Sequence, residues 1–362
     1  MDEFRAASEF LFAGEVKDVV PYGNGHINDT YAVTCKGSRG GVRYILQRLN
    51  ANVFPDRDGL MRNMIAVTDF LCRKVLEEGG DPERECLRLI PTVEGGRYYT
   101  SPEGEIWRAT QFVEHTEAYL VADDAEMFRD AGRAFGRFLS RLADFDADTL
   151  FETIPDFHDT VKRYAAFCAA LSADSLGRAA GAEEEIAFVQ RRAEGLSLVT
   201  DALRAGEIPV RVTHNDTKLN NVLIDVSTRR AVCVIDLDTV MRGSALYDFG
   251  DGVRAGCSTA KEDEPELEKV HFDMGLFGAF AGGFLRGMGG SATQRERELM
   301  PAAARLMTLE CGMRFLTDHL AGDTYFKTAY PGHNLVRART QFRLVEEMER
   351  LAPEMAEAVK RS

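Results

Sequence analysis

One stretch constrains this 362-residue chain more than any other: Thr213-His214-Asn215-Asp216-Thr217-Lys218-Leu219-Asn220-Asn221-Val222-Leu223-Ile224, followed by Asp236 in the apolar run Val232-Cys233-Val234-Ile235-Asp236-Leu237-Asp238. A polar loop of the form His-x-Asp-x-x-x-x-Asn must lie between strands, with a second carboxylate delivered at the end of the next strand. Asp216 can accept a proton from a hydroxyl. The oxygens of Asn221 and Asp236 suit a hard divalent cation that keeps several waters. Asp216 taken alone would pass for a turn cap. The whole constellation is the layout of a phosphoryl-transfer loop.

Length and charge bound the rest. A chain of 362 residues that is 45% hydrophobic can bury the core of two packed lobes. A formal net charge of -14 leaves no basic surplus to neutralise a nucleic-acid backbone, so nucleic acid is excluded as a partner. The seven cysteines are scattered singly, which suggests neither a zinc site nor a disulfide framework and fits a reducing compartment. The start Met1-Asp2-Glu3-Phe4-Arg5 lacks the basic and apolar regions of a signal peptide. The nearest approach to a membrane span, Met274 to Phe284, is short and rich in small residues. The expectation is a soluble, cytoplasmic protein with no membrane partner; a monomer is plausible.

Periodicity divides the chain. Val16 to Tyr22, Thr30 to Cys35 and Arg43 to Leu49 read as three successive antiparallel strands, followed by a helix from about Leu60 to Glu77. Two further strand-like runs bracket Gly95-Gly96, the second being Trp107 to Val113. From Asp124 the pattern turns helical, and Phe128, Ala131, Phe135, Phe138 and Leu142 recur at three- and four-residue steps. Further helices are expected over Glu184 to Leu203, Leu276 to Gly287, Met300 to Leu320 and Leu335 to Leu351. The expected class is α+β: a bilobal, protein-kinase-like fold. Residues 1–113 form a small antiparallel β lobe that binds the nucleotide, and residues 114–362 a larger, mainly helical lobe for catalysis and substrate.

Such a fold gives each candidate site residue a place. Gly23 and Gly25, in the turn Tyr22-Gly23-Asn24-Gly25-His26-Ile27-Asn28, would let backbone N–H groups approach ATP phosphates with no Cβ in the way. A Gly-x-Gly hairpin alone is an ordinary turn, but its place ahead of the later loop makes it a phosphate cradle. The third strand carries Gln47 where kinases of this kind usually place a lysine, with Arg48 on the opposite sheet face. Either Gln47 contacts phosphate as a neutral donor, or a cation from elsewhere supplies the charge. Gln111-Phe112-Val113-Glu114 is either a hinge offering backbone groups to the purine or the end of a buried strand. Asp216 is the candidate base, with Asn221 and Asp236 as ligands of Mg²⁺. His214 braces the loop, and Asp248 anchors it from below. Lys218 either neutralises the transferred phosphoryl group or is a surface lysine. Asp238 either supports the metal or ends a strand. Gly312 interrupts a helix, and Arg314 on its inner face serves either the substrate or a structural ion pair. Asp159 or Thr160 caps a helix.

These words, with Tyr44-Ile45-Leu46-Gln47-Arg48, Phe157-His158-Asp159-Thr160, Ile235-Asp236-Leu237-Asp238-Thr239, Cys311-Gly312-Met313-Arg314-Phe315-Leu316 and His333-Asn334-Leu335-Val336-Arg337, resemble the aminoglycoside phosphotransferase and choline kinase superfamily. Within it the likeness is to the bacterial N-acetylhexosamine 1-kinases, and it covers nearly the whole chain. The resemblance implies ATP- and Mg²⁺-dependent phosphorylation of the anomeric hydroxyl of GlcNAc or GalNAc to the α-1-phosphate. It also implies that His26, Asp216 and Arg314 face the sugar, and that Gln47 in place of lysine belongs to the subgroup. Another small alcohol as acceptor, or a nucleotide-binding module without turnover, are the alternatives.

Overall fold

The computed structural model describes residues 2–23, 27–37 and 40–362. In chain order the elements are α1 (Glu3–Ala7), β1 (Glu15–Pro21), β2 (Asp29–Gly37), β3 (Gly40–Arg48), α2 (Arg57–Glu77), α3 (Pro82–Glu85), β4 (Tyr99–Thr100), β5 (Ile106–Gln111) and β6 (Thr116–Ala118). There follow α4 (Ala125–Arg141), α5 (Thr160–Ala173), α6 (Glu183–Gln190), α7 (Leu198–Arg204), β7 (Arg211–Thr213), β8 (Val222–Asp225), β9 (Ala231–Val234) and β10 (Met241–Gly243). The remainder is helical: α8 (Ala245–Gly256), α9 (Met274–Gly287), α10 (Gln294–Ala321), α11 (His333–Arg350) and α12 (Ala352–Lys360). The chain forms two compact units. The first is Met1–Glu117, Asp144–Pro155 and Leu223–Met241; the second is Ala118–Ala143, Asp156–Val222 and Arg242–Ser362.

The first unit is built on an antiparallel sheet of order β1-β2-β3-β5-β4. Its apolar face follows the period of two expected of strands. Val33, Cys35, Tyr44, Leu46, Trp107 and Ala109 are buried together with Ala6, Ala7 and Phe10. The opposite face carries Thr30, Gln47 and Arg108 in register, Thr30 opposite Gln47 and Gln47 opposite Arg108. Arg48 lies on the apolar side, ion-paired with Asp29 and Glu105. The strand expected ahead of Gly95 is absent as a regular element: there the chain makes only single bridges, Phe10 to Thr92 and Leu89 to Thr110. Pro91 between them has no N–H to give a ladder. The helix α2 starts at an Asp56 cap that accepts the Gly59 N–H at 2.8 Å. Gly79 and Gly80 turn the chain back, so that Cys72 and Cys86 pair as a disulfide with a Cα–Cα distance of 5.9 Å. Their spacing in sequence gives no sign of this, and the expectation of no disulfide is corrected. Hairpin β8–β9 lies beside β6.

The second unit is helical apart from the β7–β10 pair. All five residues of the α4 stripe, Phe128, Ala131, Phe135, Phe138 and Leu142, are buried. Helices α4 and α9 approach closely through glycines, because Gly132 and Gly136 face Phe280 and Phe284 while Gly283 and Gly287 face the α4 backbone. A Cβ at Gly132 would sit 2.6 Å from the Phe280 carbonyl oxygen. The small residues of Met274 to Phe284 are thus a packing surface; no described helix is long and apolar enough to cross a membrane.

Three helix boundaries differ from expectation. The run from Glu184 to Leu203 is broken, with 3-10 geometry at Ala193–Gly195 between α6 and α7. Helix α10 begins before Met300, at a capping box in which Thr293 and Glu296 satisfy each other's backbone N–H groups, so Pro301 lies within its early turns. Nor does Gly312 interrupt it. The helix runs through, and the missing Cβ makes room for Phe342, whose Cε1 would lie 2.6 Å away.

Candidate catalytic loop and nucleotide-site residues

In the second unit, β7 delivers a loop whose backbone is tied down by carboxylates beneath it. Asp248 of α8, fully buried, accepts the N–H groups of His214 at 2.9 Å and Asn215 at 2.7 Å. Asp251, one turn on, accepts the Thr217 N–H at 2.8 Å and is ion-paired with Arg254 at 2.8 Å. The Thr217 hydroxyl donates to the Asp248 carbonyl at 2.5 Å. Burial pushes the Asp248 carboxyl up to about 6 against the pull of His214 and the two backbone donors. Asn215 adopts the left-handed conformation, φ 65°, that asparagine tolerates. His214 is buried with its ring edge-on to Phe135 and Phe138 of α4, and its Nδ1 accepts the Asp216 N–H at 3.3 Å. It is a brace, as expected.

The candidate base and its neighbours follow on this frame. Asp216 is partly exposed; its Oδ2 accepts from Asn221 Nδ2 at 2.9 Å, and Lys218 Nζ lies 3.0 Å from its Oδ1. Asn221 Nδ2 also donates to the Asp216 carbonyl at 2.7 Å. With the amide nitrogen committed, Oδ1 is the atom of Asn221 left for a hard cation, which is the donor such an ion prefers. Among the described residues no group of three His, Cys, Asp or Glu side chains forms a metal site. A divalent ion at Asn221 would need further oxygens, such as those of phosphates.

In the first unit, Asp236 follows β9 in the left-handed conformation, φ 61°, and is exposed. Two residues later Asp238 is buried and held by two side chains, one from the sheet and one from the turn before β2. Its Oδ1 is ion-paired with Arg108 Nη1, and its Oδ2 accepts from Asn28 Nδ2 at 2.5 Å. Arg108 in turn donates from Nε at 3.0 Å and Nη2 at 2.8 Å to Gln47 Oε1. Gln47 Nε2 donates to the Thr30 hydroxyl at 3.1 Å. Asp238 therefore anchors the turn that carries Asp236. Gly23 has φ 77°, with open space where a Cβ would be, so it is there for its conformation. Gly25 and His26 lie outside the described residues. Gln111 spends its side chain on the local backbone, accepting the Arg88 N–H at 2.6 Å and donating to the Cys86 carbonyl at 2.7 Å. The Val113 carbonyl accepts the Thr116 hydroxyl at 2.7 Å.

Arg314, in the second unit, has a guanidinium set over three rings, at 5.2 Å from Phe157, 5.7 Å from Tyr325 and 5.5 Å from Phe326. Among the described residues it makes no ion pair with a carboxylate. Beside it, Arg163 donates to the Phe157 carbonyl at 2.9 Å; burial and the Arg314 charge both lower its pKa. The box is tied to the loop. His158 bridges Glu310 Oε1, at 2.8 Å, and the Asn215 carbonyl, at 3.1 Å, while Thr160 donates to Glu310 Oε2 at 2.6 Å. Asp159 caps α5 by accepting the Lys162 N–H at 3.0 Å. Sequence reasoning missed His158, Glu310, Asp251 and Arg108. The first lies inside the word Phe157-His158-Asp159-Thr160; the others are single polar residues on apolar faces, a signal that becomes specific only once partners are known.

The Phosphotransferase enzyme family (APH) model matches residues 18–299. Among solved structures, an aminoglycoside phosphotransferase from Alicyclobacillus acidocaldarius is similar at TM-score 0.58 and 13% identity, covering 100% of this chain and 97% of that one. A choline kinase from Cryptosporidium parvum is similar at TM-score 0.58 and 13% identity, with 95% and 92% covered. A spectinomycin phosphotransferase solved with ADP and spectinomycin gives TM-score 0.52 and 12% identity, with 97% and 95% covered. At these identities the likeness is one of fold: mixed α+β, with an antiparallel sheet and a large helical portion.

Proposed function

This chain belongs to the APH phosphotransferase enzyme family, and we propose that it is an ATP-dependent kinase of N-acetylhexosamines. The acceptor is the anomeric C1 hydroxyl of GlcNAc or GalNAc, and the product is the α-1-phosphate. The observation that carries the reading is Asp216: a carboxylate oriented by Asn221 on a loop whose backbone is fixed by Asp248 and Asp251. The choice of sugar rests on the resemblance of the flanking sequence words, and on Arg314 keeping its donors free of carboxylates among aromatic rings.

In this reading Asp216 takes the C1 hydroxyl proton as the hydroxyl oxygen attacks the γ-phosphorus of ATP. The bond from that phosphorus to the bridging oxygen breaks, and ADP leaves. An anomeric hydroxyl is more acidic than an ordinary alcohol, so a positioned carboxylate suffices and no covalent intermediate is needed. Asn221 and Asp236 supply oxygens to Mg²⁺, which when bound neutralises charge on the phosphates. Gly23, Gly25 and Gln47 serve the phosphates, and the backbone around Gln111 and Val113 the purine. His26 and Arg314 hold sugar hydroxyls or the acetamido carbonyl, and a guanidinium fork suits that task.

An ADP-release screen over GlcNAc, GalNAc, choline, ethanolamine and homoserine tests the reading, with Asp216→Asn as control. N-acetylhexosamines should be preferred, and the substitution should lower turnover by about 10²–10⁴-fold, the usual worth of a general base. Preference for choline or homoserine would make the protein a kinase of a different small alcohol. An Asp216→Asn variant with more than about a tenth of the wild-type rate would remove Asp216 as base.

A further inference from the structure

Resting on the kinase reading, we propose that Arg108 on β5 divides the missing β3 lysine's task with Gln47: it fixes Gln47 as an outward-facing N–H donor to nucleotide phosphate and, through Asp238, holds the turn that carries Asp236. Gln47 and Arg108 are direct cross-strand partners, so the cation has moved one strand along the sheet while keeping its level and its face.

An arginine that is 1% exposed needs its charge and its N–H groups accounted for. Asp238, likewise buried, supplies the charge, and Nη1 also lies 3.1 Å from Met64 Sδ. Two of the remaining N–H groups converge on Gln47 Oε1. That convergence decides which way the Gln47 amide points. Flipping it would turn an NH₂ group against two guanidinium donors, so Oε1 stays inward and Nε2 outward. One Nε2 hydrogen goes to the Thr30 hydroxyl, and the second is left on a side chain that is only partly buried. Gln47 thus presents a donor, never an acceptor, to an anion.

The same guanidinium reaches the metal-side turn. Asp238, pinned by Arg108 and Asn28, fixes the backbone two residues from the exposed Asp236. A lysine bonded to a phosphate on one side and a carboxylate on the other would meet both needs with one group. Here a neutral donor meets the phosphate, and a charge-balanced buried pair does the holding. Arg108 is on this account a positioning residue.

Gln47→Glu separates the proposal from a purely structural role. The variant has nearly the same shape and keeps both acceptor contacts to Arg108, now as a charged pair, so the fold is retained. It loses the outward N–H and turns a carboxylate oxygen to the phosphates. Calorimetric titration with MgADP, without acceptor or turnover, should show Kd raised at least tenfold, and steady-state assays should show KM for ATP raised with KM for the acceptor unchanged. Arg108→Lys keeps the charge but cannot clamp Oε1 with two donors; it should raise KM for ATP and the Mg²⁺ concentration needed for half-maximal rate. If folded Gln47→Glu binds MgADP as the wild type does, the proposal is wrong. If the wild type itself binds no MgADP, the kinase reading fails first.

Discussion

Replacing Asp248 by asparagine sets two effects against each other: it removes a buried charge, and it removes one acceptor from the loop. The carboxylate is buried and its pKa is raised from 3.8 to about 6. A shift of about two units is worth about 3 kcal/mol at about 1.36 kcal/mol per unit. The sign follows from linkage: a folded pKa above the unfolded one gives stability that is complete below pH 3.8 and is lost as pH rises through about 6. At pH 7.5 the wild type therefore carries the whole cost of an ionised, desolvated Asp248, and asparagine is spared it. Against this, asparagine has one acceptor oxygen for two donors, the N–H groups of His214 and Asn215. One is left facing an NH₂ group, at a cost of roughly 1–3 kcal/mol.

Asp248→Asn should accordingly be less stable than wild type by roughly 1–3 kcal/mol at pH 4, and the gap should close or reverse by pH 7.5. Urea unfolding followed by circular dichroism at the two pH values reads the difference. Activity should behave otherwise. The freed N–H is in the loop that positions Asp216, so kcat at pH 7.5 should fall by on the order of tenfold or more even where stability is unchanged. A stability gap that is the same at both pH values would refute the burial penalty, and an unchanged kcat would refute the anchoring role.

Two further predictions test separate parts of the account. Arg314→Lys loses the planar fork over Phe157, Tyr325 and Phe326 and should raise KM for the sugar by roughly tenfold or more while sparing KM for ATP, which steady-state kinetics in both substrates will show. Gly132→Ala places a methyl group 2.6 Å from the Phe280 carbonyl oxygen and should cost about 1–3 kcal/mol in chemical unfolding, whereas helix propensity alone would favour alanine.

How much of this was legible in the sequence depended on the distance over which each residue finds its partner. The α4 stripe was legible because its period is local, and all five expected residues are buried. Asp248 as an anchor and His214 as a brace were legible because the loop's spacing fixes their place. Gln47 was noted as an anomaly, but its answer lies 61 residues away, across the β3–β5 pairing, and no local pattern distinguishes Arg108 from an arginine at a sheet edge. The Gly312 error has a related origin. Glycine weakens a helix locally, but here the contact with Phe342 from α11 outweighs propensity. The expected start of α10 at Met300 is late because the capping box ahead of it, Thr293 with Glu296, carries the helix back to Gln294. The Cys72–Cys86 pair depends on the turn at Gly79-Gly80, which spacing alone does not reveal.

The most direct test of the central claim is the position of the phosphate in the product. Purified protein incubated with MgATP and GlcNAc, or with GalNAc, should yield a single sugar phosphate whose phosphorus couples to the anomeric proton in the proton and phosphorus NMR spectra, with the small H1–H2 coupling of an α-anomer. Phosphate on any other hydroxyl, or no sugar phosphate while ADP is released with choline, ethanolamine or homoserine, would contradict the assignment.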